Sequence, residues 1–555
     1  MTSKRRDYGR LALVLHAHLP YVRHPEHPQF HEETWLFEAL LECYLPLLQV
    51  MEGWSRDQIP WRMTLSVSPT LAAMLIDPLL QDRFRGYLAT LMELAEKETI
   101  RAMFEPARRS VADFYLAWIQ QQAAAFERLR GDILSAWAKH SAAGHLELIT
   151  CSATHATLPL LRDEPASLHA QLELALAQHA RWAGVRPAGF WLPECAWTPE
   201  LEPFLCAAGI RWFVTETQGL LHATPRPRQA IYAPLLTPLG LAVFAREPAS
   251  AHQVWSRHGG YPGDPRYREF HRDVAHDADW DYVRPYLHGA SGRAFTGLKF
   301  HRVTGQGQDK LLYDRGAALA AVREHAANFV SERARTASAA HALMSQPPVL
   351  LAPYDAELFG HWWFEGPEFL DAVVREVATG THALELTVPS QHLQDYPRLE
   401  VGVPAASTWG EGGHFAMWLD ESNAWMQPPL RAAGRRFSML ATQFADLGGD
   451  PLGERLLRQA ARELLLAQAS DWPFLVKMDT AGAYPARRFK EHLAAVDLLL
   501  GAVTAPDRTG VLATLAELES RHPLFPELDW RLWREHAGAL LTSGKQTQRQ
   551  STYQV

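Results

Sequence analysis

Apolar residues recur along this chain in short blocks that stop at polar or charged positions: residues 11–15, 65–67, 146–150, 189–192, 212–215, 349–352 and 384–388. Blocks of this length read as strands, and residues 11–15 as a buried one. Between many of them lie stretches with helical spacing, such as 34–49 and 111–140. An alternation of β then α predicts an α/β fold built on a parallel sheet or barrel. Two regions interrupt the pattern: 219–240, rich in Pro and apolar residues, and 246–305, with a Gly- and Pro-rich centre at 259–265. Both read as irregular excursions that build a cleft wall. After about residue 405 the blocks give way to Ala/Leu/Arg-rich segments such as 451–469 and 489–503, which predict a helical C-terminal domain. The last residues, 543–555, are polar and Gln-rich and read as disordered.

A length of 555 residues exceeds what one core organises, so two or three folding units are expected. The apolar share of 47% supports a globular chain. A formal charge of −8, with no basic stripe, gives no electrostatic case for nucleic acid. The apolar run after the basic opening at residues 1–6 is too short for a secretion signal, and no run approaches the roughly 20 apolar residues of a membrane span. A soluble, cytoplasmic protein is the expectation. Four cysteines without CxxC spacing argue against a disulfide scaffold or a thiolate zinc site. The 19 tryptophans, many beside Gly, His, Asp or Glu, change the picture more. Sugar rings offer apolar C–H faces with polar edges, and indoles suit them; the plain alternative is Trp as core filler.

In barrels, residues just past strand C-termini carry the chemistry. Here those are His16 and His18, Cys151 to His155, Glu194 and Asp355. Glu194, between Trp191-Leu192-Pro193 and Cys195-Ala196-Trp197, is a carboxyl enclosed by apolar neighbours; the alternative is a solvated loop glutamate or a cap. Asp355 ends its block and is either catalytic or a helix N-cap. His16 and His18 point the same way from one strand, which suits zinc, sugar hydroxyls or a structural role, and His155 adds a third imidazole.

Together these motifs resemble glycoside hydrolase family 57, and within it the α-1,4-glucan branching enzymes. The resemblance rests on His16-Ala17-His18-Leu19-Pro20, Gly144 to Glu147 running to His155, Trp191 to Trp197, Ala352 to Trp363, and Ser407 to Gly413. Tyr232-Ala233-Pro234, Gln253 to Ser256 leading to Gly260 to Asp264, and Ser470-Asp471-Trp472 point to the branching group. The resemblance implies a distorted (β/α)7 barrel (1–193 and 241–404), an inserted domain at 194–240, an all-helical C-terminal domain at 405–540 and a tail at 541–555. It carries the nucleophile onto Glu194 and the general acid/base onto Asp355, the two roughly 5–5.5 Å apart for retention. It makes His16, His18 and His155 ligands to sugar hydroxyls, and Arg246, Gly263, Trp409 and Asp471 binding residues. Trp35, Trp255 and Trp418 become further stacking platforms. It implies an α-glucan such as amylose or glycogen as partner, and no metal or cofactor. No tyrosine occurs at 219–231 to act as a lid over the acceptor, which leaves Tyr232 as the substitute. An α-amylase-like hydrolase is the alternative within the same fold; a zinc-dependent barrel hydrolase and a non-catalytic glycan binder stand further off.

Overall fold

The computed structural model describes residues 9–256, 259–305, 307, 310–444 and 449–534. The tail expected at 541–555 and the basic opening lie outside the described residues. Ten strands occur among them: β1 (Gly9–Ala17), β2 (Met63–Val67), β3 (Leu146–Ile149), β4 (Gly189–Phe190), β5 (Trp212–Thr215), β6 (Leu235–Leu236), β7 (Ala242–Ala245), β8 (Val349–Asp355), β9 (Leu384–Leu386) and β10 (Glu400–Val401).

Seven of these close a parallel ring in the order β1-β2-β3-β4-β5-β7-β8. Two seams of the ring are single bridges, Thr150 with Phe190 and Arg246 with Leu351. The barrel is therefore distorted where β3 meets β4 and where β7 meets β8. Every residue of β1 is buried, as a strand between a packed interior and an outer layer must be.

All seven apolar blocks contain strands, but one stands outside the ring. β9 pairs with the first residues of β1, on the edge where β2 pairs with the last ones. Its place in the ring is taken by β7, a four-residue strand within the stretch that follows the Pro-rich excursion. The excursion contributes β6, which runs antiparallel to β7 and carries β10 on its other edge.

The outer helices begin where the sequence supplies caps. Asp77 accepts from the Leu80 amide ahead of Pro78–Arg101, and proline occupies the first turn, where its missing N–H costs nothing. The helical stretch expected at 111–140 is two helices, Pro106–Arg128 and Ile133–Ala142. Arg130 and Gly131 adopt positive φ between them, and Asp132 caps the second. The C-terminal region consists of helices, among them Gln427–Gln443, Pro451–Ala467, Asp471–Met478 and Tyr484–Thr504. Polar contacts join it to the barrel beside the strand ends, where the Ser470 amide donates to the His155 carbonyl at 3.1 Å and Gln171 donates to Gln468 at 3.0 Å. Others lie further out, where His24 meets Tyr484 at 3.0 Å and Trp533 donates to Ser167 at 3.2 Å. No helix of the described residues is long and apolar enough to cross a membrane.

Candidate active site

Strand register sets the first row of the site. Asp355 at the end of β8 is paired with His16 of β1, and His16 with Ser66 of β2. Opposite this row, β4 ends in a single turn, Pro193–Cys195, in which Glu194 (φ 63) and Cys195 (φ 48) are left-handed. His155, past the end of β3, is left-handed as well (φ 56). Such backbone costs on the order of 1–3 kcal/mol per residue and persists only where its surroundings over-determine it. Here the Glu194 carbonyl accepts from the Trp409 amide at 3.0 Å, and the Cys195 amide donates to the Leu192 carbonyl at 2.8 Å.

The turn presents the Glu194 carboxyl to two donors. Oε2 accepts from the Trp409 indole at 2.9 Å and Oε1 from the Ser470 hydroxyl at 3.0 Å, with His155 Nδ1 3.7 Å from Oε1. Burial raises its pKa, and the two hydrogen bonds oppose the rise. Asp355 is treated differently. Its side chain makes no cap hydrogen bond to the turn that follows, so the N-cap reading does not hold. Burial, then the charges of Glu357 and Glu194, push it well above the usual carboxylate range, against the pull of Arg246. Both carboxyls are raised, but only Glu194 has hydrogen-bond donors to oppose the rise, so Asp355 holds its proton the more strongly.

The histidines are engaged on both nitrogens. His16 pairs through Nδ1 with the Ser66 hydroxyl at 3.0 Å and through Nε2 with His155 Nε2 at 2.9 Å. His155 Nδ1 meets the Ser470 hydroxyl at 2.7 Å. His18 lies between the Ser68 hydroxyl at 2.9 Å and Asp471 Oδ1 at 3.0 Å. His16 is 1% exposed and stacks on Trp191 at 4.7 Å, so its ring has no free nitrogen for the sugar hydroxyl that the family resemblance assigns to it.

A metal could be sought at His16, Cys151 and His155, whose ligand atoms lie within 4.8 Å of one another. The residues fit it poorly. The two imidazole nitrogens stand at hydrogen-bond distance, 2.9 Å, whereas two nitrogen ligands on tetrahedral zinc are about 3.3 Å apart. Burial also keeps the Cys151 thiol protonated.

The other expected residues divide. Arg246 pairs with Glu216 at 3.2 Å, lies over the Trp409 ring and acts on Asp355. Trp409 in turn meets Trp191 and Trp255 edge to face, and Trp255 is 37% exposed. Arg246, Trp409, Trp255 and Asp471 therefore belong with the two carboxyls. Trp418 is 1% exposed, beneath Gly410 and beside Phe474, and presents no open face for stacking. Trp35 packs edge to face on Tyr484. Gly263 sits in a turn whose neighbours Tyr261 and Asp264 contact Asn328 and His325, rather than the carboxyls. Tyr232 accepts from the Val349 amide at the start of β8, six residues or about 20 Å of strand from Asp355, so it cannot close over the site as a lid. Ser66, Ser68 and Tyr44 belong to the site although the motif reading does not reach them, and Ser470 and Glu357, which lie within motifs, have no role in that reading. Glu357 accepts from the His18 amide at 3.1 Å and from the Tyr44 hydroxyl.

The chain matches the description glycosyl hydrolase family 57 over residues 12–404, and 1,4-alpha-glucan branching enzyme, C-terminal, over 429–533. It is 32% identical over 520 residues to the 1,4-alpha-glucan branching enzyme TK1436 of Thermococcus kodakarensis, covering 87% of this chain and 72% of that protein. Among solved structures it is similar to the alpha-amylase AmyC from Thermotoga maritima (TM-score 0.87, 36% identity, 95% and 99% of the two chains). It is also similar to the GH57-type branching enzyme from Pyrococcus horikoshii (TM-score 0.84, 30% identity, 95% and 97%).

Proposed function

Since the chain belongs to glycosyl hydrolase family 57, we propose that it is a retaining 1,4-alpha-glucan branching enzyme with Glu194 as nucleophile and Asp355 as general acid/base. The observation that carries this reading is the unequal treatment of the two carboxyls. Burial raises both, but Glu194 has two hydrogen-bond donors that oppose the rise, while Asp355 has two neighbouring carboxylates that add to it. The site thus provides an anion to attack and an acid to donate at one pH.

In the first step Glu194 attacks the anomeric carbon as Asp355 protonates the departing glucan oxygen, leaving a glycosyl ester on Glu194. Asp355, now a carboxylate, then takes the proton of the acceptor's 6-hydroxyl as that oxygen displaces Glu194, and a branch forms. Arg246, Asp471, Trp255 and Trp409 bind the donor chain. The insert expected at 194–240 contains β5, a strand of the ring, so the barrel is assigned to 1–215 and 241–404, the insert is confined to the residues between β5 and β7, and the helical domain is assigned to 405–540. No metal enters the mechanism. Four free thiols agree with a cytoplasmic enzyme.

A second reading, hydrolysis, is favoured by two observations: the similarity to an alpha-amylase structure, and the position of Tyr232 at the opposite end of β8. Incubation with amylose, followed by debranching and chain analysis, separates the two. New chains released by debranching mark transfer to the 6-hydroxyl; shortened linear glucan alone marks hydrolysis. An E194Q variant is expected to lose roughly a thousandfold or more in kcat, and full turnover in it would remove the assignment.

A further inference from the structure

Four buried links run from β2 to the proposed nucleophile, and their protons can be ordered from one end. Ser66, His16, His155 and Ser470 are 0%, 1%, 3% and 2% exposed, so solvent does not supply alternative partners. An ionised Glu194 only accepts, so Ser470, 3.0 Å from Oε1, must turn its single proton toward it. The Ser470 oxygen is then an acceptor, and His155 Nδ1, 2.7 Å away, must carry a proton. A neutral His155 has a bare Nε2, so the proton in the 2.9 Å contact belongs to His16 Nε2. His16 Nδ1 is bare in turn and accepts from the Ser66 hydroxyl at 3.0 Å. Burial and the proximity of the other histidines keep both imidazoles neutral, which this order requires.

We propose that Ser470 is a positioning residue for the Glu194 carboxylate, and that Ser66, His16 and His155 form an aligned hydrogen-bond chain that fixes its proton. All four donors point toward Glu194, so the chain favours its anion, and the polarisation of successive links adds to that preference. This rests on the reading of Glu194 as nucleophile. It also moves His16 from the substrate to the support of His155. Other groups act on the same carboxyl: Asp471 and His18 directly, and Asp355 and Cys195 through their mutual coupling with it. Asp471 is itself held by the parallel pair Ser68 and His18, set one strand period beyond Ser66 and His16.

The test uses the full-length protein and two readouts. One is the acidic limb of the kcat/KM profile. The other is the NMR titration of the Trp409 indole N–H, assigned with W409F, which donates to Glu194 and reports its ionisation without turnover. Removing one donor from a charged group is worth about one to two pH units. S470A is therefore expected to move both readouts upward by that amount, S470T to restore them, and S66A to move them the same way by less. An indole titration that stays put in S470A overturns the proposal. A shift in S470A with none in S66A overturns the histidine half of it. If S470A does not fold, S66A decides alone: a shift supports the chain and an unchanged titration sinks it. Failure of the nucleophile reading would instead appear as turnover retained in E194Q.

Discussion

Two carboxyl side chains of nearly equal intrinsic acidity are separated here by what faces them. For Asp355, Glu357 is the largest neighbouring charge that keeps the proton on. Both the Tyr44 hydroxyl and the His18 amide bind its Oε1, so a glutamine can keep both contacts through its amide oxygen while losing the charge. Loss of a negative neighbour lowers the pKa of Asp355, and catalysis needs that group protonated. E357Q is therefore expected to move the alkaline limb of kcat/KM toward acid by about one pH unit, with the acidic limb in place. A pH profile whose alkaline limb holds still or moves upward contradicts this. Glu194 and Asp355 were legible because each ends a strand-like apolar block. Ser66 was not, and Ser470 was legible only as part of the Ser470-Asp471-Trp472 motif, because a serine carries no signal that separates a loop from a site. The usable signal was a repeat: Ser66-Val67-Ser68 has the spacing of His16-Ala17-His18, and register brings the two strands side by side.

The strands of the ring differ in how plainly the sequence announces them. β9 looks like a barrel strand because residues 384–388 have strand length and a β-branched end, yet the segment alternates with Glu385 and Thr387, Glu385 is exposed and Leu386 only half-buried. β7 contains two alanines and follows a turn, so its pattern is weak, but all four residues are buried and it links β5 to β8. Ring membership is decided by pairing on both edges, which a one-dimensional pattern does not contain. The two elements should therefore respond differently to truncation. Phe244, 1% exposed in β7, is expected to cost about 3–5 kcal/mol as F244A, whereas L386A should cost less than half of that. Urea unfolding of both variants checks the order, and equal losses would mean that β7 does not hold the ring.

The barrel supplies Glu194 and the helical region supplies Ser470 and Asp471, so the site exists only while the two are docked. Part of what holds the helical region is a buried polar knot. Glu463 accepts from His492 and His522 at 2.7 Å each and from Gln459 at 2.8 Å, while Arg488 donates to His522 at 3.0 Å. Burial opposes the charge on Glu463, but His522 and His492 outweigh it and hold the carboxyl low. Arg488, paired with Glu491 at 3.2 Å and donating to His522, adds a positive charge that opposes a further proton on the two imidazoles. Burial first, and then Arg488, bring His492 down to about 3, and burial lowers His522 as well. Below the ordinary histidine pKa of about 6.5 the unfolded chain takes up protons at both positions and the folded one does not, so stability rises with pH across that range. His492 removes about 1.4 kcal/mol per pH unit as pH falls below 6.5, and the lowered His522 acts in the same direction. The Glu463 contribution is intact throughout, being lost only as pH falls through its depressed folded value. H492Q keeps a donor for Glu463 and cannot titrate. Between pH 7 and pH 5 it is therefore expected to lose about 2 kcal/mol less than the parent chain, read from urea midpoints at the two pH values. Parallel losses would show that His492 is already charged in the folded state. Thr154 also donates to the Leu465 carbonyl beside this knot, so acid that loosens these helices withdraws Ser470 and Asp471 from the barrel face that carries Glu194.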